Sequence, residues 1–189
     1  NVEALLGRHL GRQPGQDWAA WFGAVVCGED VQAKKPDPEV YHRALAALQE
    51  GRLFSLYSSA FLAILAEGLA QADRVQEAYL AVERGLERCM EKQELWYVAE
   101  LLRVKGEIVL RDGSVSAAKQ HFQQSIEQAR RQEALSWELR AATSLARLQR
   151  DRNQSGQAQR LLADVCARFS EGFATTDFKI ASALLARPS

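Results

Sequence analysis

Residues 101–132 read LLRVKGEIVLRDGSVSAAKQHFQQSIEQARRQ, two amphipathic stretches separated by a short turn at Gly113. In both stretches apolar residues return every three or four positions, which is the period of an α-helix with one buried face. The Asp-Gly-Ser turn contains residue types that end one helix and begin the next. This segment therefore predicts a pair of antiparallel helices.

The pattern of small and large residues in this pair returns forty residues earlier and forty residues later. Three columns carry the repeat: a small residue in the first helix, a small residue in the second helix, and a larger apolar residue one turn further on. The columns are Ala66, Gly106 and Ala146; Ala78, Ala118 and Ala158; and Val82, Phe122 and Leu162. A fixed period with helical patterning is typical of helical repeats, because one helical pair cannot bury its apolar face without stacked neighbours.

We therefore predict a mainly α fold with six helices in three antiparallel pairs between about Phe54 and Phe169. The small residues are expected where the two helices of a pair cross closely, since larger side chains there would force the helices apart. In the turn of the first pair, Asp73 with Gln76 three residues later fits a capping box at the start of the second helix. Asn153 is the matching turn residue of the third pair.

The same residues resemble a known family. The stretches 101–113, 117–132 and 139–185 look like degenerate tetratricopeptide repeats, and more narrowly like the C-terminal repeat region of large predicted ATPases and adenylate-cyclase-linked regulators of bacteria. The most specific part, FSEGFATTDFKIASALL at 169–185, resembles the closing loop and capping helix of that region. The resemblance covers about residues 52–186 and implies a tetratricopeptide-like α-solenoid of three antiparallel helix pairs plus a C-terminal capping helix.

In tetratricopeptide repeats the first helix of each pair lines a concave groove that binds segments of partner proteins. The resemblance transfers this role to Glu67, Glu100, Arg103, Glu107, Arg140, Thr143, Arg147 and Arg150. Such a groove would be acidic at one end and basic at the other, and this polarity would orient a charged peptide. The alternative is a solvated helix face with many charges. The lysine and asparagine arrangement that clamps a chaperone carboxylate is not visible, which disfavours a chaperone-adaptor role.

Aromatic residues open the first helices of the second and third repeats: Trp96 with Tyr97, and Trp137. Aromatic side chains are common at binding hot spots. Near a helix start, however, they more often brace one helical pair against the previous one, and we favour this structural role.

The first fifty residues do not follow the forty-residue period. A short apolar run, AVVC at 24–27, ends in a Gly-containing turn and predicts a buried strand. Pro38 suits the first position of a helix that we expect to run to about Gln49. We therefore divide the chain into a unit of helix, short strand, loop and helix at 1–50 and the helical repeats at 51–189.

This N-terminal unit carries a second resemblance, over about residues 1–48. WFGAVVCGEDVQAKKPDPEVYHRALAAL is similar to the central part of haloacid-dehalogenase-like hydrolases, in which a lysine at the position of Lys35 balances the charge of the nucleophilic aspartate and of the phosphate substrate. The DxD nucleophile motif of that family does not occur in this sequence, and Glu29 and Asp30 are more simply turn residues. We therefore expect that the chain is not an enzyme and that it has no catalytic residue and no cofactor. The alternative is an incomplete phosphatase fragment that acts on phosphate esters with Mg²⁺ only if missing motifs are supplied from elsewhere.

Composition narrows the class of partner. Lys plus Arg and Asp plus Glu are both 24, so no net positive field draws the chain to nucleic acid or to an anionic membrane. The cysteines and histidines lie at no disulfide or metal-ligand spacing: Cys27, Cys89, Cys166, His9, His42 and His121. Since no signal core is visible, we expect a cytoplasmic protein.

The expected partner is a protein or peptide, with a small-molecule effector as a variant of the same idea. An isolated strand at 24–27 would leave unpaired edges, so we expect this segment to pack with little strand partnership, to become helical, or to pair with a second copy of the chain in a homodimer. The predicted function is that of an interaction or regulatory scaffold module of a signalling protein.

Overall fold

The structure, a computed structural model, describes residues 58–93, 95–152 and 156–186. Within these ranges the chain forms seven α-helices and a 3₁₀ turn at Leu95–Tyr97. The helices are α1 (Ser58–Gln71), α2 (Val75–Lys92), α3 (Val98–Arg111), α4 (Val115–Arg131), α5 (Leu135–Arg150), α6 (Gly156–Ala167) and α7 (Thr176–Leu185). The described part of the chain contains no strand, and the prediction of a mainly α fold is confirmed.

The helices pack against one another in chain order. α1 packs on α2, α3 on α4 and α5 on α6, while the α2–α3 and α4–α5 contacts join one pair to the next. The first helices of the pairs also contact each other, α1 with α3 and α3 with α5. α7 packs on both α5 and α6 and so covers the end of the third pair.

The three sequence columns form the core of these pairs. Every non-glycine residue in them is at most 2% exposed, and Gly106 is buried as well. The residues of the first column lie on the first helix of each pair. Those of the other two columns lie on the second helix, which packs against the first. The forty-residue pattern thus marks the buried positions of each pair.

Gly106 and Phe122 make the tightest of these contacts. A Cβ atom added at Gly106 would lie 2.5 Å from Cε1 of the Phe122 ring. The second repeat thus combines the smallest residue of the first column with the largest of the third column. The third repeat uses Ala146 and Leu162 at the same two positions.

The ends of the helices recur at a spacing of twenty residues, half of the sequence period. Asp73, Gln93, Gly113 and Glu133 all have positive φ, between 53° and 85°. After three of them the next amide donates to a carbonyl five residues back, which is the bond of the Schellman motif that ends helices at a left-handed residue. The bonds run from Arg74 to Leu69, from Ser114 to Val109 and from Ala134 to Ala129.

The predicted capping box at Asp73 and Gln76 is wrong. Asp73 is the left-handed residue that ends α1, with φ of 61°. α2 begins at Val75, with Arg74 as its N-cap and no side-chain capping hydrogen bond. Glu77, in the first turn of α2, pairs instead with the Arg74 guanidinium at 2.6 Å.

Several predicted features lie outside the described residues. They are the strand at 24–27, the helix from Pro38 to Gln49, the remainder of the 1–50 unit with Lys35, and the turn residue Asn153.

Candidate functional site

The row formed by α1, α3 and α5 brings five of the eight predicted partner-binding residues into one ion-pair network. Arg103 on α3 is at its centre and contacts Glu67 of α1. On its own helix Arg103 also reaches Glu100 at 2.7 Å and Glu107 at 3.7 Å. Arg140 of α5 pairs with Glu100 at 2.8 Å. This central network therefore links the first helices of all three repeats.

Arg103 and Glu100 form a bidentate pair inside the protein. Nε of Arg103 donates to Oε2 of Glu100 at 2.9 Å, and Nη2 donates to Oε1 at 2.7 Å. Their side chains are only 8% and 3% exposed. The planar guanidinium matches both carboxylate oxygens at once, which fixes the geometry of the two side chains as well as their charge.

Burial acts on the pKa values of both partners. It raises the pKa of the Glu100 carboxyl, and the hydrogen bonds from Arg103 oppose this rise. For Arg103 burial lowers the pKa of the guanidinium, but the hydrogen bonds and the charge of Glu100 raise it by more, so the net direction is upward. Each side chain is thus held in place by the opposite charge of the other.

Aromatic rings lie along one side of the central network. The Tyr97 ring packs edge-on against Trp96 at 4.9 Å and against Trp137 at 5.2 Å between ring centroids. The Arg140 guanidinium lies 5.5 Å from the centre of the Trp137 ring. Burial, and then the charge of Glu100, raise the pKa of Tyr97 to about 12. The contact between Tyr97 and Trp137 joins the second repeat to the third, which agrees with a bracing role.

The other three predicted residues lie along α5. Thr143 is buried, and its hydroxyl donates to the backbone carbonyl of Leu139 at 2.7 Å. Arg147 is exposed and forms no ion pair with another described residue. Arg150 lies 3.5 Å from the exposed carboxylate of Asp151.

Arg147 and Arg150 border a small cavity of about 170 Å³ between α5 and α7. Its other wall is apolar and consists of Ile180, Ala183 and Leu184 of α7. Ile180 is among the exposed large apolar side chains of the described residues. This end of the row therefore places two guanidinium groups beside an apolar surface.

The eight predicted residues thus separate into two groups. Glu67, Glu100, Arg103, Glu107 and Arg140 bind one another, and Thr143 binds its own helix. Of the two remaining residues, Arg147 is exposed and forms no ion pair with another described residue, whereas Arg150 is partly buried and lies beside Asp151. Three carboxylates and two guanidinium groups make up the network, whereas two guanidinium groups and the carboxylate of Asp151 stand at the α5–α7 end, so negative charge is in excess in the network and positive charge at the α5–α7 end.

Three of the polar contacts were not predicted from the sequence. The Ser144 hydroxyl donates to Glu107 at 2.6 Å and extends the central network along α5. Glu138 of α5 is 1% exposed and accepts hydrogen bonds from Arg130 and Arg168, both at 2.6 Å. The available signal was that Glu138 stands forty residues after Val98, at a position that is apolar in the second repeat.

The described residues offer little for metal chemistry. No group of three or more His, Cys, Asp or Glu side chains among them could hold a metal ion. Cys89 and Cys166 are not joined by a disulfide, and burial raises the pKa of the Cys166 thiol. No helix of the described ranges has the length and apolar character that crossing a bilayer requires.

Comparison with protein-family models gave no match, and no curated protein is significantly similar to this chain.

Proposed function

We propose that this chain contains a tetratricopeptide-like α-solenoid that binds a segment of a partner protein along α1, α3 and α5, as a regulatory or scaffold module of a cytoplasmic signalling protein. The observation that carries the proposal is the α5–α7 end of the row, where Arg147 and Arg150 stand beside the apolar side chains of α7. An excess of positive charge next to exposed apolar surface suits an interaction site better than a solvated face.

The central network supports this proposal as a rigid base. A buried ion pair adds little net stability compared with apolar packing, because the charges lose their hydration. It does fix positions, and here it links α1 to α3 through Arg103 and α3 to α5 through Arg140. A surface whose helices are held in this way needs less ordering when a partner binds.

The charges also define the class of partner. Near α5 and α7 the partner segment would place a carboxylate against Arg147 or Arg150 and an apolar side chain against Ile180. Toward α1 and α3 it would carry positive charge, because the side chains of Glu67 and Glu107 are both 37% exposed. The favoured partner is thus a peptide segment that is acidic at one end and basic at the other.

A peptide selection tests the proposal. Short random peptides displayed on phage are selected on the full chain, and the affinity of the selected sequences is measured by fluorescence anisotropy. We expect acidic residues beside an apolar residue in the selected sequences, and at least about tenfold weaker binding to the double variant Arg147→Glu with Arg150→Glu.

The matched control reverses two exposed arginines on the second helices, Arg131→Glu with Arg160→Glu, which changes the net charge by the same amount. Binding to this control should stay within about twofold of the original chain. If the selected peptides bind both double variants equally well, the site is not at the α5–α7 end and the proposal is refuted.

A further inference from the structure

A second cavity, of about 350 Å³, opens between α4, α5 and α6. None of the eight partner-binding residues lines it, so it is separate from the row of first helices. Its apolar wall consists of Ile126, Leu145, Ala158 and Leu161. The volume falls in the range of about 300–1,000 Å³ that is usual for small-molecule sites.

One buried oxygen atom in the wall of this cavity has no hydrogen-bond partner among the described residues. Gln149 of α5 is 8% exposed, and no group of the described residues makes a hydrogen bond to its buried Oε1 atom. A buried amide oxygen without a donor is destabilising, and such atoms are rare in folded proteins. The unpaired amide therefore calls for a donor in the cavity.

The repeat makes this glutamine more unusual. Gln149 stands forty residues after Val109 and eighty residues after Leu69, so the first two repeats have an apolar residue at this position. An apolar residue in the third repeat would fill the same place without leaving an amide unpaired. Of these three positions only 149 lines the cavity, and at this position a glutamine replaces the apolar residue of the repeat.

The rim of the cavity indicates a neutral ligand. Glu127 and Arg130 contribute one charge of each sign. Arg130 is already bound to Glu138, and Glu127 lies 4.0 Å from Arg131. Since Gln149 is itself uncharged, a charged group buried against it would lose hydration without an opposite charge to replace it.

We propose that this cavity binds a small neutral molecule with an apolar body and a hydroxyl group, and that the hydroxyl pairs with the amide of Gln149. A hydroxyl suits this place because it can donate to Oε1 and can also accept from the amide nitrogen. The apolar body lies against Leu145, Ala158 and Leu161. The site does not depend on the proposed peptide binding, because Arg147 and Arg150 take no part in it.

Titration of the full chain with phenol, followed by nuclear magnetic resonance, tests the proposal. Phenol is neutral and carries one hydroxyl on an apolar ring, and toluene is the matched probe without the hydroxyl. We expect phenol to shift the backbone amide signals of Leu145 and Leu161. The substitution Gln149→Met should weaken phenol binding by about tenfold and leave toluene binding unchanged.

Stability measurements separate this role from a merely structural one. Gln149→Met removes the unpaired amide, so it should raise the midpoint of thermal unfolding of the unliganded chain while it weakens phenol binding. Gln76→Met, at an exposed position of α2, which contributes no residue to the cavity, is the matched control and should change neither property. Leu161→Trp should fill the cavity from its apolar wall and block phenol and toluene alike.

Three results would overturn the proposal. The first is that phenol leaves the signals of the cavity residues unshifted. The second is that phenol binds Gln149→Met as well as it binds the original chain. The third is that phenol binding survives Leu161→Trp, which would place the probe elsewhere.

Discussion

The second and third repeats use the same positions of their first helices in different ways. On α3, Glu100 and Arg103 pair with each other within one turn. Forty residues later α5 carries Arg140, Thr143 and Arg147, and among these only Arg140 pairs with an acid, on the neighbouring helix. A charged residue of the row thus becomes part of the internal structure when an opposite charge lies one turn away or on the next helix. Where neither condition holds, as at Arg147, the whole charge remains available to a partner, whereas paired residues such as Glu67 and Glu107 offer only their exposed part.

The largest expected effect distinguishes the buried Arg103 of the second repeat from the exposed Arg147 of the third repeat. Arg103→Ala removes the centre of the network and leaves the buried carboxylate of Glu100 with Arg140 alone, so the free energy of unfolding should fall by about 3–5 kcal/mol. Arg147→Ala removes an exposed charge and should change it by less than about 0.5 kcal/mol. Urea unfolding followed by circular dichroism measures both values. Equal effects of the two substitutions would mean that the central network does not stabilise the fold.

The second expected effect concerns the close contact between Gly106 and Phe122. At these two positions the second and third repeats carry side chains of different size. Gly106→Ala should destabilise the protein by about 1–2 kcal/mol, because the clash with the buried Phe122 ring exceeds the gain in helix propensity of about 1 kcal/mol. Adding Phe122→Leu, which creates the combination found in the third repeat, should recover part of that loss. A double-mutant cycle in urea measures the coupling.

Gly156→Ala is the matched control for this cycle. A Cβ atom at Gly156 would meet no atom within 4 Å, so the substitution should be neutral or slightly stabilising. If Gly106→Ala behaves in the same way, or if Phe122→Leu brings no recovery, the tight crossing is not a property of the second repeat.

A smaller effect is expected at the left-handed helix ends. Gly113→Ala should cost about 1 kcal/mol, because a residue with Cβ is strained at a φ of 85°. At Glu133, twenty residues later, the reverse change Glu133→Gly should stabilise by about 0.5 kcal/mol, since it relieves the same strain. Thermal unfolding of the two variants measures both shifts. Shifts of the same sign would show that the two helix ends differ in more than the side chain.

The smallest expected effect concerns pH and the bracing rings between the repeats. The pKa of Tyr97 is raised from 10.0 to about 12 in the folded chain, so the unfolded chain loses this proton first as pH rises. Stability should therefore decrease with rising pH between about 10 and 12, and this contribution should be absent in Tyr97→Phe. Urea unfolding across this pH range measures the slope, and the ultraviolet absorbance of tyrosinate reports the titration. An identical slope in Tyr97→Phe would assign the effect to other groups.

Much of the repeat fold could be predicted because its signals are local. Small residues in fixed columns mark the helix crossings directly, as at Ala66 and Ala146, and helical periodicity marks the buried faces. The capping box at Asp73 failed because the sequence pattern does not reveal which residue takes the left-handed conformation, and that residue sets where the next helix begins.

The site was predicted less completely, and the reason lies in side-chain partners. The places of the eight residues on the first helices do not show which of them pair with one another. Arg103 meets Glu67 across 36 positions of sequence, and Glu138 meets Arg168 across 30. Such pairs depend on how the helices pack. Helical periodicity alone does not determine which charged residues pair with one another within the fold.

The twenty-residue spacing of the left-handed residues has a consequence for how this chain can change in length. Each interval from Asp73 to Gln93, Gly113 and Glu133 contributes one helix and one reversal of chain direction. Duplication of two successive intervals would add a further member to the row and leave every later helix on its original side. Gain or loss of a single interval would instead exchange the two sides for all helices that follow. Growth of this protein by duplication is therefore expected in steps of forty residues.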